Sequence, residues 1–209
     1  MKFFAKKFYC NIIFLFITVC LTVSGLSPPA FAGKPTDQMK QTIDAVIKVL
    51  ENKELKKSGR EAERRAEIGK ILDARFDFRA MAKSALSIYW SKRTPAEKKE
   101  FVSLFTDLIK DTYIRKMERY GGEKVSYVGE STNDGYARIK TRVILKTGTE
   151  IPIDYMLRNK NGIWMAYDVF IEGVSLVNNY RSQFAEIIDS SSYEELIRKL
   201  RNKVIKEPK

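Results

Sequence analysis

Apolar positions in this chain change period twice, from helical spacing to alternation and back to helical spacing. Spacings of three and four residues run through Met39 to Leu50, Ile68 to Leu72 and, most regularly, Phe101 to Met117. Thr94 to Glu97 precede the last of these as a helix start, with a capping threonine, a proline at the first helical position and a glutamate that completes a capping box. The pattern predicts a helical part over about residues 33–122.

Between about residues 123 and 172 the period is two, as in strands with one buried face. Turn sequences containing glycine separate the alternating runs. The predicted strands are a weaker first run, Lys124 to Gly129, followed by Tyr136 to Lys146, Glu150 to Arg158 and Ile163 to Ile171. Short connections of this kind favour a four-stranded twisted antiparallel meander. Its apolar face is predicted to carry Val143, Ile153, Tyr155, Tyr167 and Val169.

The chain returns to helical spacing between about residues 175 and 205. One stripe runs from Leu176 to Ile188 and a second from Leu196 to Val204, and a serine–glutamate capping sequence near Ser192 introduces the second. Helices followed by strands and then helices predict an α+β fold. The large apolar side chains on these stripes are most simply interpreted as core.

The first 32 residues have the organisation of a secretory signal peptide that is cleaved. Three lysines precede an apolar run from Ile12 to Val23, and Ala30 to Ala32 place small residues three and one before a cleavage point. A membrane anchor is one alternative, although the run is short for a span of about 20 residues. Processing as a lipoprotein at Cys20 is another, although Val19 is not the small residue that such a site needs.

The composition then limits the kinds of active site and binding partner that the chain can have. The chain has 38 lysines and arginines, 26 acidic residues and no histidine, for a net charge of +12. Removal of the three lysines of the signal peptide leaves +9 on one domain over residues 33–209, which contains no cysteine. Histidine-dependent nucleophiles, HExxH metalloprotease sites, cysteine-ligated metal sites and disulfides are therefore excluded from that domain. For an exported protein, this charge favours anionic phospholipid headgroups or acidic protein partners over nucleic acid, and a solvated basic surface is the alternative.

Asp154 and Asp168 fall on neighbouring predicted strands, so this pair of carboxylates could act as a general acid and base. The alternation places both on the more polar face of the sheet, which favours surface or ion-paired roles. Phosphate-binding glycine loops, acidic metal clusters and a nucleophile elbow are absent from the sequence. An enzyme acting on a small hydrophobic substrate is therefore the alternative, and no cofactor or metal is expected.

Ile171 to Phe184 closely resemble the MlaC (toluene-tolerance) family of periplasmic phospholipid-binding proteins. The likeness extends in order through most of the chain after the signal peptide. Its other segments are Phe76 to Ala82, Ala85-Leu86, Tyr89-Trp90, Phe101 to Tyr113, Asp154-Tyr155 and Tyr167 to Val169. One departure is Ser87, where the family pattern leads us to expect glycine.

The resemblance implies a monomeric carrier in the periplasm of a Gram-negative bacterium, without cofactor or covalent chemistry. It implies a sheet clasped by N- and C-terminal helices around an apolar pocket that takes the acyl chains of a diacyl phospholipid. The implied partners are an outer-membrane lipoprotein complex and an inner-membrane ABC transporter with an MCE-domain subunit, and the implied role is outer-membrane lipid asymmetry. A lipid-free envelope adaptor that binds through its basic face is the remaining alternative.

Two groups of residues follow from this resemblance together with the predicted faces. The expected pocket residues are Phe105, Ile109, Tyr113, Met117, Val143, Ile153, Tyr155, Tyr167, Val169, Tyr180 and Phe184. Asp168, Glu172 and Arg181 lie around the end of the last strand and are expected to form an ion-pair cluster that fixes it to the next helix.

Overall fold

The structure contains a sheet in which the strands lie in the same order as in the sequence. The computed structural model describes residues 35–203 and residue 205, so the predicted signal peptide lies outside the described residues. The strands are β1 (Lys124–Asn133), β2 (Tyr136–Ile144), β3 (Glu150–Lys160), β4 (Ile163–Ile171) and β5 (Val174–Ser175). Each neighbouring pair is antiparallel. The predicted four-stranded meander is confirmed, and a fifth strand of two residues is added at its edge.

Two of the connections are tight hairpins whose sequence determines their shape. Asp134-Gly135 and Asn161-Gly162 each place two successive residues at positive φ, with values of 44° and 75° in the first and 54° and 87° in the second. This is the type I′ geometry, whose twist matches that of the flanking strands and which asparagine, aspartate and glycine adopt most readily. The hairpins thereby hold β1 to β2 and β3 to β4 in register.

The described part of the chain forms six α-helices and one short 3₁₀ helix, Ser87–Lys92. The α-helices are α1 (Pro35–Glu51), α2 (Glu61–Asp73), α3 (Phe78–Leu86), α4 (Pro95–Met117), α5 (Leu176–Ser190) and α6 (Tyr193–Arg201). The capping box at Thr94 is formed as predicted, with hydrogen bonds in both directions between Thr94 and Glu97. None of the helices in the described range is long and apolar enough to cross a membrane.

Buried apolar residues form two clusters, and the helices lie against one face of the sheet. In the first, Met39 of α1 packs on strand residues that include Ile139, Leu157 and Trp164. The second cluster joins all six α-helices to one another and includes Phe101 and Tyr180. Helix α1 contributes residues to both clusters, and a cavity lies between the sheet and the helices.

Candidate ligand-binding cavity

A cavity of about 490 Å³ lies between the apolar face of the sheet and helices α1, α3 and α4. Small-molecule sites in proteins typically measure roughly 300–1,000 Å³, so this volume suits a ligand. Most of its lining is apolar. The residues of the lining that the sequence analysis had assigned to a pocket are Ile109, Tyr113, Met117, Val143, Ile153, Tyr155 and Val169.

The sheet supplies one wall because alternate residues of its strands share a face. Val143 pairs with Ile151 across β2 and β3, and Tyr155 pairs with Val169 across β3 and β4. Burial raises the pKa of the Tyr155 phenol to about 12, and the Thr141 hydroxyl opposes this rise. The phenol is therefore neutral at physiological pH, so this wall carries a hydrogen-bonding group without a charge.

Helix α4 supplies the opposite wall through residues four apart. Ile109, Tyr113 and Met117 repeat once per turn and therefore face the same side of the helix. Phe101 and Phe105 lie on earlier turns of the same helix but are fully buried in the helical cluster. The N-terminal half of α4 thus belongs to the closed core, and its C-terminal half faces the cavity.

Charged side chains line the cavity at one end. Lys116 and Arg119, at the end of α4 and just after it, belong to the lining together with Glu123. The ammonium group of Lys116 lies 5.1 Å from the ring centroid of Tyr113. The Tyr120 hydroxyl donates to the Glu51 carboxylate over 3.4 Å. Since charges are costly to bury without partners, this polar end is the mouth of the cavity.

Three aromatic residues expected in the pocket do not line it. Phe105, Tyr180 and Phe184 are fully buried and form an aromatic cluster between α4 and α5. Ring centroids are 5.9 Å apart for Phe105 and Tyr180 and 5.7 Å apart for Tyr180 and Phe184, spacings of well-packed aromatic pairs. Here α4 and α5 meet each other directly, so their apolar stripes fill core.

Tyr167 also lies away from the cavity, because β4 contains a bulge. Met156 pairs with Asp168 and Leu157 with Ala166, which leaves Tyr167 without a partner on β3. An extra residue in one strand shifts the alternation of the residues that follow it. Tyr167 therefore faces the opposite side of the sheet, where its ring meets that of Tyr136 edge to face at 6.0 Å.

The expected ion-pair cluster is not formed. Asp168 is 9% exposed, and its carboxylate accepts hydrogen bonds from the Ser175 hydroxyl at 2.6 Å and the backbone N–H of Val177 at 3.1 Å. Among the ion pairs within the described range, none involves Asp168, Glu172 or Arg181. Glu172 and Arg181 are exposed to solvent. Asp168 does join the last strand to α5, but through neutral donors at the helix start.

The two aspartates of the catalytic alternative also have structural partners. Asp154 pairs with Arg138 at 2.6 Å on the face of the sheet opposite the helices. Asp168 holds the start of α5, and neither aspartate lines the cavity. In the described part of the chain, histidine, cysteine, aspartate and glutamate form no group of three or more suited to a metal.

Sequence reasoning missed the part of the lining that comes from α1 and from the segment around α3. Ile43, Val46 and Leu50 of α1 line the cavity, as do Phe76 and Met81. The helical stripe of α1 was visible in the sequence, but its spacing could not show which element it would face. The charged mouth was missed as well. Basic residues are common in the last turn of a helix because they stabilise its dipole, so their presence there did not indicate a binding site.

Comparison with known proteins identifies the family. The model of the MlaC family, described as MlaC protein, matches residues 40–202. The toluene tolerance protein ttg2D of Pseudomonas putida is 26% identical over 158 residues, which cover 74% of this chain and 73% of that protein. The intermembrane phospholipid transport system binding protein MlaC of Haemophilus influenzae is 22% identical over 120 residues, 55% of this chain and 56% of that protein.

A solved structure shares the fold. The phospholipid-binding protein of Ralstonia solanacearum, determined in complex with a phospholipid, aligns with a TM-score of 0.70 over 82% of this chain and 97% of its own. Its sequence is 21% identical, so the likeness speaks for the fold alone. The family match extends from α1 to the residue after α6 and so includes every wall of the cavity. This chain therefore belongs to the MlaC family.

Proposed function

We propose that this protein is a periplasmic carrier that holds the acyl chains of a diacyl phospholipid in its cavity. The observation that carries the proposal is the apolar cavity between sheet and helices, with its charges confined to the mouth. A phospholipid has the same division, with apolar chains and a polar headgroup. The relatives support this function, since one is named for intermembrane phospholipid transport and the solved neighbour was determined with a phospholipid.

The energetics of acyl chains require such a site. Two chains bring roughly 30 methylenes, and burial of each is worth about 0.8 kcal/mol, so exposing both to water costs on the order of 24 kcal/mol. Spontaneous release into solvent is therefore negligible. Delivery must occur in a docked state in which the chains pass from cavity to acceptor without meeting bulk water.

The proposal includes the route of the lipid. Residues 1–32 act as a cleaved export signal, and residues 33–209 form one monomeric domain in the periplasm of a Gram-negative bacterium. The carrier exchanges phospholipid with an outer-membrane lipoprotein complex and with an inner-membrane ABC transporter carrying an MCE-domain subunit, and so serves lipid asymmetry. The chain has no histidine, so an imidazole switch cannot set release, and partner docking must open the cavity.

Native mass spectrometry of protein exported to the periplasm and purified without detergent tests the proposal. We expect the wild-type protein to carry one phospholipid. Ile153→Asp places an unpaired charge in the cavity wall and should remove the lipid. Ile163→Asp is the matched control, because Ile163 is 51% exposed and does not line the cavity.

Circular dichroism of both variants separates loss of lipid from loss of fold. A wild-type protein that arrives without lipid, and that takes none up from vesicles, would contradict the proposal and favour the adaptor interpretation. Equal lipid content in folded Ile153→Asp and Ile163→Asp would show that lipid binds elsewhere than in this cavity.

A further inference from the structure

We infer that the mouth of the cavity selects phospholipids whose headgroup carries a net negative charge, an inference that rests on the proposed function. Of the lining residues, the side chains with a formal charge are Lys116, Arg119 and Glu123, all at one end. Lys116 and Arg119 are exposed to solvent, whereas the lining residues Phe78 and Met81 are 7% and 1% exposed. A lipid with its chains inside must therefore place its headgroup among the charges of the mouth.

Cations outnumber carboxylates there. Besides Lys116 and Arg119, Lys146 reaches the same place, since its ammonium group lies within 3.7 Å of the position that a Cβ on Gly121 would occupy. The pKa of Glu123 is lowered by the backbone N–H of Gly121 and, to a smaller extent, by the charge of Lys146. Of the carboxylates in the described part of the chain, Glu123 and Glu51 lie beside these three cations. Both are engaged by the protein, Glu123 by the backbone N–H of Gly121 at 2.7 Å and Glu51 by the Tyr120 hydroxyl.

Arg119 is the cation best placed to bind a ligand. Its guanidinium group makes no side-chain hydrogen bond or ion pair with another residue of the described chain. The neighbouring Glu118 is instead held by Arg64 and Arg65, each at 2.8 Å. A guanidinium fork matches the oxygens of a phosphate in a bidentate geometry. Arg119 thus presents a cation at the edge of an apolar cavity that attracts the phosphate of any phospholipid, and together with its neighbours it repels the ammonium group of a zwitterionic headgroup.

The helix dipole explains the position of only some of the basic residues at the mouth. Basic residues in the last turn of α4 stabilise the helix through its dipole, and both Arg115 and Lys116 lie there. Arg119 lies beyond the end of the helix at Met117, and it lines the cavity whereas Arg115 does not. Arg115 therefore serves as the matched control for a role in the mouth.

Equilibrium loading from mixed vesicles tests the inference. Delipidated protein is incubated with vesicles of equimolar phosphatidylglycerol and phosphatidylethanolamine, and the lipid bound to the recovered protein is quantified by mass spectrometry. Both lipids share one surface, so attraction of the basic protein to the vesicle favours neither. We expect about five-fold enrichment of phosphatidylglycerol, the effect of two exposed charge contacts, and a decline of this enrichment at high salt.

The variants assign the selection to the mouth. Lys116→Gln with Arg119→Gln should bring the ratio close to one while the total lipid per protein stays the same. Arg115→Gln with Lys140→Gln removes two exposed charges that do not line the cavity and should keep the wild-type ratio. An equal loss of selection in both double variants would overturn the inference in favour of overall charge.

Two further results separate this inference from the proposed function. Full occupancy with a ratio of one in the wild-type protein would overturn the headgroup selection and leave the carrier function standing. A protein that takes up neither lipid would overturn both. Glycerol phosphate added at constant ionic strength should not change the ratio, and a change would show that the mouth binds free phosphate rather than the headgroup of a bound lipid.

Discussion

Replacing Asp168 by asparagine tests how the last long strand is fixed to α5. The carboxylate of Asp168 is buried and accepts hydrogen bonds from the Ser175 hydroxyl and from the backbone N–H groups of Val169 and Val177. Asparagine has nearly the same shape, but one of its two acceptor oxygens becomes a donor. The amide oxygen can keep the two backbone donors, but the NH₂ group then faces the Ser175 hydroxyl, whose hydrogen loses its charged acceptor.

The size of the effect follows from these contacts. A hydrogen bond to a charged group contributes about 1.5–3 kcal/mol, and a negative charge at a helix N-terminus adds about 0.3–1 kcal/mol. We expect Asp168→Asn to lower the free energy of unfolding by about 3 kcal/mol. A loss of 1 kcal/mol shifts Tm by about 2–4 °C in a domain of this size, so the expected fall is about 6–12 °C.

Urea unfolding followed by circular dichroism measures the change, with lipid content held equal between samples. Arg181→Ala is the control, because Arg181 is exposed and forms no ion pair with Asp168 among the described contacts, and its midpoint should match the wild type. Had the predicted ion-pair cluster been present, both variants would lose stability. Equal destabilisation by the two substitutions, or none by Asp168→Asn, would refute the reasoning.

Two other predictions concern the cavity and acid stability. Val143→Trp fills part of the cavity and should lower phospholipid content by native mass spectrometry, whereas Val128→Trp, at a half-exposed position of β1, should not. Burial alone would favour the neutral form of Asp77, but hydrogen bonds from Lys160, the backbone N–H of Ala80 and Arg158 hold its pKa below the usual range. Ionised Asp77 therefore adds stability above its ordinary pKa, and this is lost as pH falls through the lower folded value. Asp77→Asn should flatten that acid limb in urea titrations at successive pH values, and an unchanged limb would contradict the assignment.

The sequence predicted the fold well where local chemistry decides it. The capping box at Thr94, the hairpins at Gly135 and Gly162 and the alternation in β2 and β3 each depend on residues close together in the chain. Because each of these signals involves only neighbouring residues, it can be recognised in one sequence without knowledge of the tertiary structure. Helix α4 likewise ends at Met117, where its predicted apolar stripe ends, and backbone hydrogen bonds from Arg119 to Lys116 and from Tyr120 to Met117 form a further turn after it.

The candidate site could be predicted only in part, since periodicity identifies an apolar face but not what lies opposite it. Phe105 and Tyr113 occupy the same stripe of α4, yet one meets α5 and the other meets open space. That difference depends on how far the helices diverge, which is a property of the whole assembly. The register shift at Tyr167 is likewise a tertiary feature, because strict alternation would place this residue with Val169.

The bulge in β4 has a consequence for how this strand can change in evolution. Trp164 and Ala166 face α1, and Val169 faces the cavity, although Val169 is three positions after Ala166 and strict alternation requires an even number. Deletion of Tyr167 would restore ordinary alternation and leave the residues on both sides of it facing as they do now. Relatives can therefore differ in length by one residue at this position without turning a polar side chain toward the ligand. A one-residue change elsewhere in the strand is tolerated only if the bulge moves to absorb it.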